Sequence, residues 1–173
     1  MSKSRKVYSG RAVNLYVETV TLPNGRSTEL DLIRHPGAAA AVPLKDDGTV
    51  LLVRQYRHAA GGFIYEVPAG KLDGGEAPER CAHRELTEEA GVRAGRLDHL
   101  ASILTTPGFT DEVIHLYLAR ELEPAQQALE ADEVLTVEPH SLEDAVAMCA
   151  DGRLRDAKSI CALMLAQRFL QAG

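Results

Sequence analysis

Between Gly70 and Val92 the chain reads GKLDGGEAPERCAHRELTEEAGV, a glycine-rich loop that runs straight into a helical pattern. A helix is predicted from Glu76 to Ala90. Pro78 is tolerated in its first turn, Glu76 and Glu79 suit its positive end, and Gly91 stops it. Within it Glu85, Glu88 and Glu89 fall at i, i+3 and i+4, so three carboxylates share one face. Such a face is costly: like charges at this spacing repel, and Glu88 and Glu89 lie in the last turn, where the macrodipole disfavours anions. Arg84 offsets only part of this. The helix alone leaves two readings open, a solvated acidic surface and a cluster of hard oxygen ligands for a divalent cation. Under the second, the loop acquires a purpose. Gly70, Gly74 and Gly75 permit tight turning and close approach of backbone to a ligand just before a helix start.

Strand patterns dominate the chain before this helix. RAVNLYVETV and STELDLIR alternate about Leu22-Pro23-Asn24-Gly25-Arg26, whose Asn-Gly pair suits a tight turn, and together they predict an N-terminal hairpin. AAAAVPL and TVLLVRQY flank Asp46-Asp47-Gly48 and are apolar enough for buried sheet. After the helix come HLASILT and EVIHLYLA, a polar stretch from Glu121 to Glu133 that reads as a mobile loop, and a short strand, VLTVE. Ser141 to Asp144 offers a capping-box-like start for a helix ending near Gly152, and apolar residues from Ala157 to Gln171 recur at helical spacing. At 173 residues, with no repeat or composition break, the chain is expected to be a single α+β domain of mixed sheet and packed helices, its β-rich front forming a subdomain.

Charge and motifs exclude several classes. With 19 basic and 25 acidic residues the formal charge is −6, no footprint for a nucleic-acid backbone or an anionic membrane. An acidic protein that handles anions needs local cations. No window approaches the ~18 apolar residues of a membrane span. Cys81, Cys149 and Cys161 are widely spaced and read as reduced thiols, so a cytoplasmic protein is expected. The six histidines show neither paired nor metal-finger spacing. Walker, nucleophile-elbow and dinucleotide fingerprints are all absent from the sequence.

The spacing of the central segment carries a resemblance. Gly70, five residues, Glu76, seven residues, Arg84-Glu85-Leu86, one residue, Glu88-Glu89, one residue and Gly91-Val92 resemble the Nudix box at every position. The resemblance implies an α/β/α sandwich with mixed sheet. It also implies hydrolysis of a nucleoside diphosphate linked to another group by a metal-activated water. Carried over, Glu85 and Glu89 would be principal ligands of Mg²⁺, or of Mn²⁺ or another divalent cation. Glu88 would complete the set directly or through water, and the Ala69 carbonyl would add a further ligand. Arg84 and Glu76 would orient the carboxylates.

Segments outside the box resemble the ADP-ribose pyrophosphatase subfamily. These are Leu32 to Ala38, Arg54-Gln55-Tyr56-Arg57, Glu66 to Gly70, and Pro107, sixteen residues after Gly91 and followed by Gly108. Thr110 stands where dinucleoside polyphosphate hydrolases usually carry Tyr. The implied substrate is ADP-ribose, cleaved to AMP and ribose 5-phosphate. ADP-glucose or GDP-mannose are alternatives, as is a nucleotide-sensing domain without turnover. Arg34, Arg54 and Arg57 are expected to meet the diphosphate, and Glu66 to accept from adenine or its ribose. Glu112 is expected to reach the ligand from across a dimer interface. A base from a loop after the box is implied, Glu133 first and Glu130 second. Residues 1–35 resemble the subfamily's N-terminal extension and 36–173 its catalytic domain, so a homodimer is expected. Whether the hairpin swaps between subunits or packs on its own remains open.

Overall fold

The computed structural model describes residues 3–172. Near the N-terminus, β1 (Lys3–Ser9), β2 (Asn14–Thr21) and β3 (Ser27–Arg34) form an antiparallel sheet in that order. The β2–β3 turn is the expected one, with Gly25 at φ 82° and its N–H donating to the Leu22 carbonyl. The sheet has one more strand than expected. KSRKVYS shows no apolar alternation because β1 is exposed along its whole length and is held by its ladder with β2 alone.

The body of the chain is built on β4 (Ala38–Pro43), β5 (Thr49–Arg57), β6 (Gly62–Glu66) and β7 (Ala69–Lys71), followed by α1 (Pro78–Ala90). Then come β8 (Val92–Leu104), β9 (Val113–Pro124), β10 (Leu135–Ser141), α2 (Leu142–Asp151) and α3 (Ala157–Ala172). One sheet runs β7-β4-β9-β8 and is mixed, since β4 and β9 are parallel; a second, antiparallel sheet runs β10-β5-β6. The AAAAVPL and TVLLVRQY segments are both buried but enter different sheets, with a single backbone bridge between Leu44 and Val50 pairing them and shared cores packing them together.

The alanine run explains the layering. Ala38, Ala40 and Val42 face Ala145, Met148, Ala162, Leu163 and Ala166 of α2 and α3. Ala39 and Ala41 face Cys81, Ala82, Leu86 and Ala90 of α1. Strand alternation thus sends successive alanines into two cores, and their small size lets helices approach from both sides. This is the expected α/β/α sandwich. No residue before Ala38 belongs to either cluster among the described residues. The N-terminal sheet instead meets the body through polar contacts: the Ile33 N–H donates to the Phe109 carbonyl at 2.7 Å, and Arg34 Nη1 to Asp111 at 2.8 Å.

Both tail helices stand where the sequence put them. Ser141 Oγ caps α2 by accepting from the Asp144 N–H at 3.0 Å, and Gly152 ends it at φ 83°. Because Ala40 is fully buried under α2 and α3, Ala40→Leu should overpack that layer and destabilise the fold by about 1–3 kcal/mol. A urea or thermal unfolding midpoint equal to the native one would contradict this placement.

Candidate active site

Antiparallel pairing to β4 (Ala39 with Gly70, Ala40 with Ala69) fixes the short strand β7 beside α1. The following loop turns at Asp73-Gly74-Gly75-Glu76, with the Glu76 N–H donating to the Asp73 carbonyl and Gly75 at φ 81°. Gly70 has a separate reason. A β-carbon there would overlap the Glu85 carboxylate, which is packed against its backbone. The Glu89 carboxylate, one turn further, accepts the Ala69 N–H at 2.9 Å.

Arg84 ties the loop to the helix. Its Nε and Nη2 hold the two Glu76 oxygens at 3.1 and 2.9 Å, and Nη2 also donates to the Lys71 carbonyl at 3.0 Å. Nη1 bridges Glu85 and Glu88. One guanidinium therefore serves three carboxylates, a use of the planar fork that a lysine could not reproduce. Facing Arg84, the Glu76 carboxyl is held down to about 2. Glu85 and Glu89 go the other way: burial pushes them up to about 7 and about 8, with the charge of Glu88 adding to the push on Glu85, that of Glu85 to the push on Glu89, and that of Glu133 to both.

The stretch after β9 is not the free loop its composition suggests. Ala125 N–H donates to the Gly91 carbonyl, Ala128 N–H to the Glu88 carbonyl, and Gln127 Nε2 to the Glu89 carbonyl at 2.6 Å. These donors strap the segment across the C-terminal carbonyls of α1 that lack helical partners. The chain then turns so that Glu133 N–H donates to the Glu130 carbonyl and Glu130 N–H to the Glu133 carboxylate at 2.8 Å. Both glutamates line the same cleft, of about 790 Å³, as Ala69, Glu85, Glu88 and Glu89.

Among the expected cationic residues, Arg57 lines this cleft and Arg34 and Arg54 do not. Alternation along β5 puts Arg54 on the other face, where its guanidinium lies 4.5 Å from the Phe63 ring centre. Arg34 is consumed by Glu18 and Asp111. Pro107 and Gly108 lie outside the cleft, in a turn whose Phe109 carbonyl anchors β3. Glu112 does line it, accepting from Thr105 Oγ1 at 2.7 Å and facing His35 Nδ1 at 3.4 Å.

Glu66 is 3% exposed and does not present free oxygens. Arg57 Nε and Nη2 hold them at 3.0 and 2.7 Å, and Lys158 Nζ at 3.1 Å. The expectation that Glu66 accepts from a nucleoside gives way to a carboxylate that positions two cations. Lys158 was not anticipated. A single lysine in the first turn of an apolar helix carries no motif, and only the fold brings it into the cleft.

The donors Glu85, Glu88, Glu89 and the Ala69 carbonyl are all oxygen, which suits a hard divalent cation. Among the described residues no three acidic, His or Cys side chains already converge at ligand distance; Arg84 stands between Glu85 and Glu88. Three carboxylates, two of them buried, thus share one helix face, and Arg84 engages only Glu85 and Glu88 of them. A divalent cation fits this excess of negative charge once Arg84 releases Glu85.

Comparison with known proteins agrees with the geometry. The chain is 40% identical to the ADP-ribose pyrophosphatase of Bacillus subtilis over 164 residues, 94% of this chain and 89% of the relative. It is 38% identical over 167 residues to the methanol dehydrogenase activator of Bacillus methanolicus, covering 95% and 90%. A crystal structure of an ADP compounds hydrolase shares the fold with a TM-score of 0.85, covering 98% of this chain and 92% of its own at 22% identity. The NUDIX domain model matches residues 34–163, and with that match over most of its length the chain belongs to the Nudix family of hydrolases.

Proposed function

We propose that the protein hydrolyses the pyrophosphate of ADP-ribose to AMP and ribose 5-phosphate with Mg²⁺ as its divalent cation. The observation that carries this reading is the shared cleft: the box carboxylates, the two loop glutamates and Arg57 all line it. Glu85, Glu88, Glu89 and the Ala69 carbonyl hold the cation, which when bound lowers the pKa of water and neutralises phosphoryl charge. Arg57, fixed on Glu66 through two nitrogens, keeps Nη1 for a phosphoryl oxygen. Glu133 takes the proton from the attacking water, its carboxylate aimed by the Glu130 N–H. One P–O bond forms to water and the bridging P–O bond breaks, releasing the two monophosphates. Arg84 keeps the helix carboxylates in place against their mutual repulsion. Glu112, with His35 behind it, serves the sugar end of the substrate.

The same reading includes a cytoplasmic homodimer in which residues 1–35 form an extension distinct from the catalytic domain. Its support is the N-terminal sheet, which lies outside both cores and exposes Val7, Tyr8 and Leu30. The thiols are unpaired, and no helix among the described residues is long and apolar enough to cross a membrane.

Three outcomes follow. Chromatography of products with Mg²⁺ should show AMP released from ADP-ribose faster than from ADP-glucose, GDP-mannose or diadenosine polyphosphates, with EDTA abolishing release; preference for another compound would discard the substrate. Glu133→Gln should lower kcat by about 10²–10⁴-fold with KM little changed, and near-native turnover would move the base to Glu130. Light scattering on the eluting protein should give twice the 18.7 kDa chain mass, whereas a monomer would rule out the dimer.

A further inference from the structure

Resting on the reading of this cleft as a pyrophosphate site, we propose that Lys158 is a second phosphate-binding cation. It forms with Arg57 a two-point clamp organised by the buried carboxylate of Glu66.

Its position is fixed by the first turn of α3. Asp156 caps that turn, Oδ2 accepting the Ser159 N–H at 3.0 Å, and also takes Lys158 Nζ at 2.9 Å. Ser159 is fully buried and its Oγ accepts the Val67 N–H at 2.8 Å. The helix start is thereby bolted to Glu66-Val67-Pro68-Ala69, the segment whose last residue borders Glu89. Lys158 is consequently delivered to the cleft by rigid elements, with its side chain only 13% exposed.

Charge argues for a ligand-directed role. Arg57 alone engages both Glu66 oxygens, so Lys158 is not required to satisfy that carboxylate. Glu66 and Asp156 take two of its three ammonium protons; the third stays available. Arg57 Nη2 and Lys158 Nζ share the same Glu66 oxygen at 2.7 and 3.1 Å, which holds the two cations within about 6 Å of each other. Non-bridging oxygens on the two phosphoryl groups of one diphosphate lie at comparable separations, so each cation can face one group. Of the other Arg and Lys side chains bordering the cleft, Arg84 is engaged by three glutamates and Arg11 by Asp132, while Lys71 is exposed and reaches only the Ala12 carbonyl at 3.4 Å, with no carboxylate to fix it. A diphosphate approaching the acidic face of α1 meets a fixed pair of compensating charges at Arg57 and Lys158.

The test is steady-state kinetics on ADP-ribose with Mg²⁺ for Lys158→Gln and Lys158→Arg, paired with calorimetric titration of ADP. Lys158→Gln should raise KM about tenfold or more with kcat within about threefold, and weaken ADP to a similar degree. Lys158→Arg, keeping the charge and the Glu66 contact, should recover most of both. An unchanged KM in Lys158→Gln, undiminished ADP affinity, or an arginine variant as impaired as the glutamine one would overturn the clamp. If the wild-type protein prefers another nucleotide sugar, the substrate reading falls while the ADP titration still decides the role of Lys158.

Discussion

The molecule is organised around carboxylates that it buries without enough positive charge to match. Glu85 and Glu89 sit against β7, and burial pushes both toward neutrality. Several unrelated features become intelligible as ways of tolerating this. Gly70 lacks a side chain because Glu85 occupies its space; the Ala69 N–H is turned toward Glu89; Arg84 spreads one guanidinium over three partners. The alanines of β4 contribute at a distance, since small side chains at Ala39 and Ala41 let α1 settle close to the strand that carries β7. A fold that retains such charge does so at a cost in stability, and a bound divalent cation is the natural compensation.

Around that centre the opposite charge is placed with comparable care. Glu66, almost wholly buried, gathers Arg57 from β5 and Lys158 from α3, so that one carboxylate aligns two cations drawn from distant parts of the sequence. The segment after β9 adds the loop glutamates. Its strap across the end of α1 supplies donors to carbonyls that the helix leaves unpaired, and in doing so fixes where Glu130 and Glu133 emerge.

How much of this could be read beforehand depended on whether the signal was local. The central helix, expected from Glu76 and beginning at Pro78 because Glu76 closes the preceding turn, its glycine stop, the Asn-Gly turn and the tail helices depend on neighbours within a few residues, and the sequence carries them. The box glutamates could be placed on one face by helical spacing alone. What escaped depended on contacts far along the chain. β1 has no pattern of its own because it buries nothing; Arg54 and Arg57 look equivalent until strand alternation sends one to Phe63 and the other to the cleft. Glu121 to Glu133 is polar, yet backbone hydrogen bonds pin its middle. Lys158 gains significance only through a helix packed 92 residues from Glu66.

Buried charge is both the cost and the function of the site, and thermal unfolding of the wild type and Glu89→Gln, each with and without Mg²⁺, tests this most directly. In EDTA the variant should unfold at or above the wild-type temperature, because glutamine keeps an acceptor for the Ala69 N–H while removing the charge. Saturating Mg²⁺ should raise the wild-type midpoint and leave the variant nearly unmoved, since only a cation bound to the native state shifts the equilibrium. A variant markedly less stable in EDTA, or one that gains as much from Mg²⁺ as the wild type, would contradict the assignment of Glu89 and the account built on it.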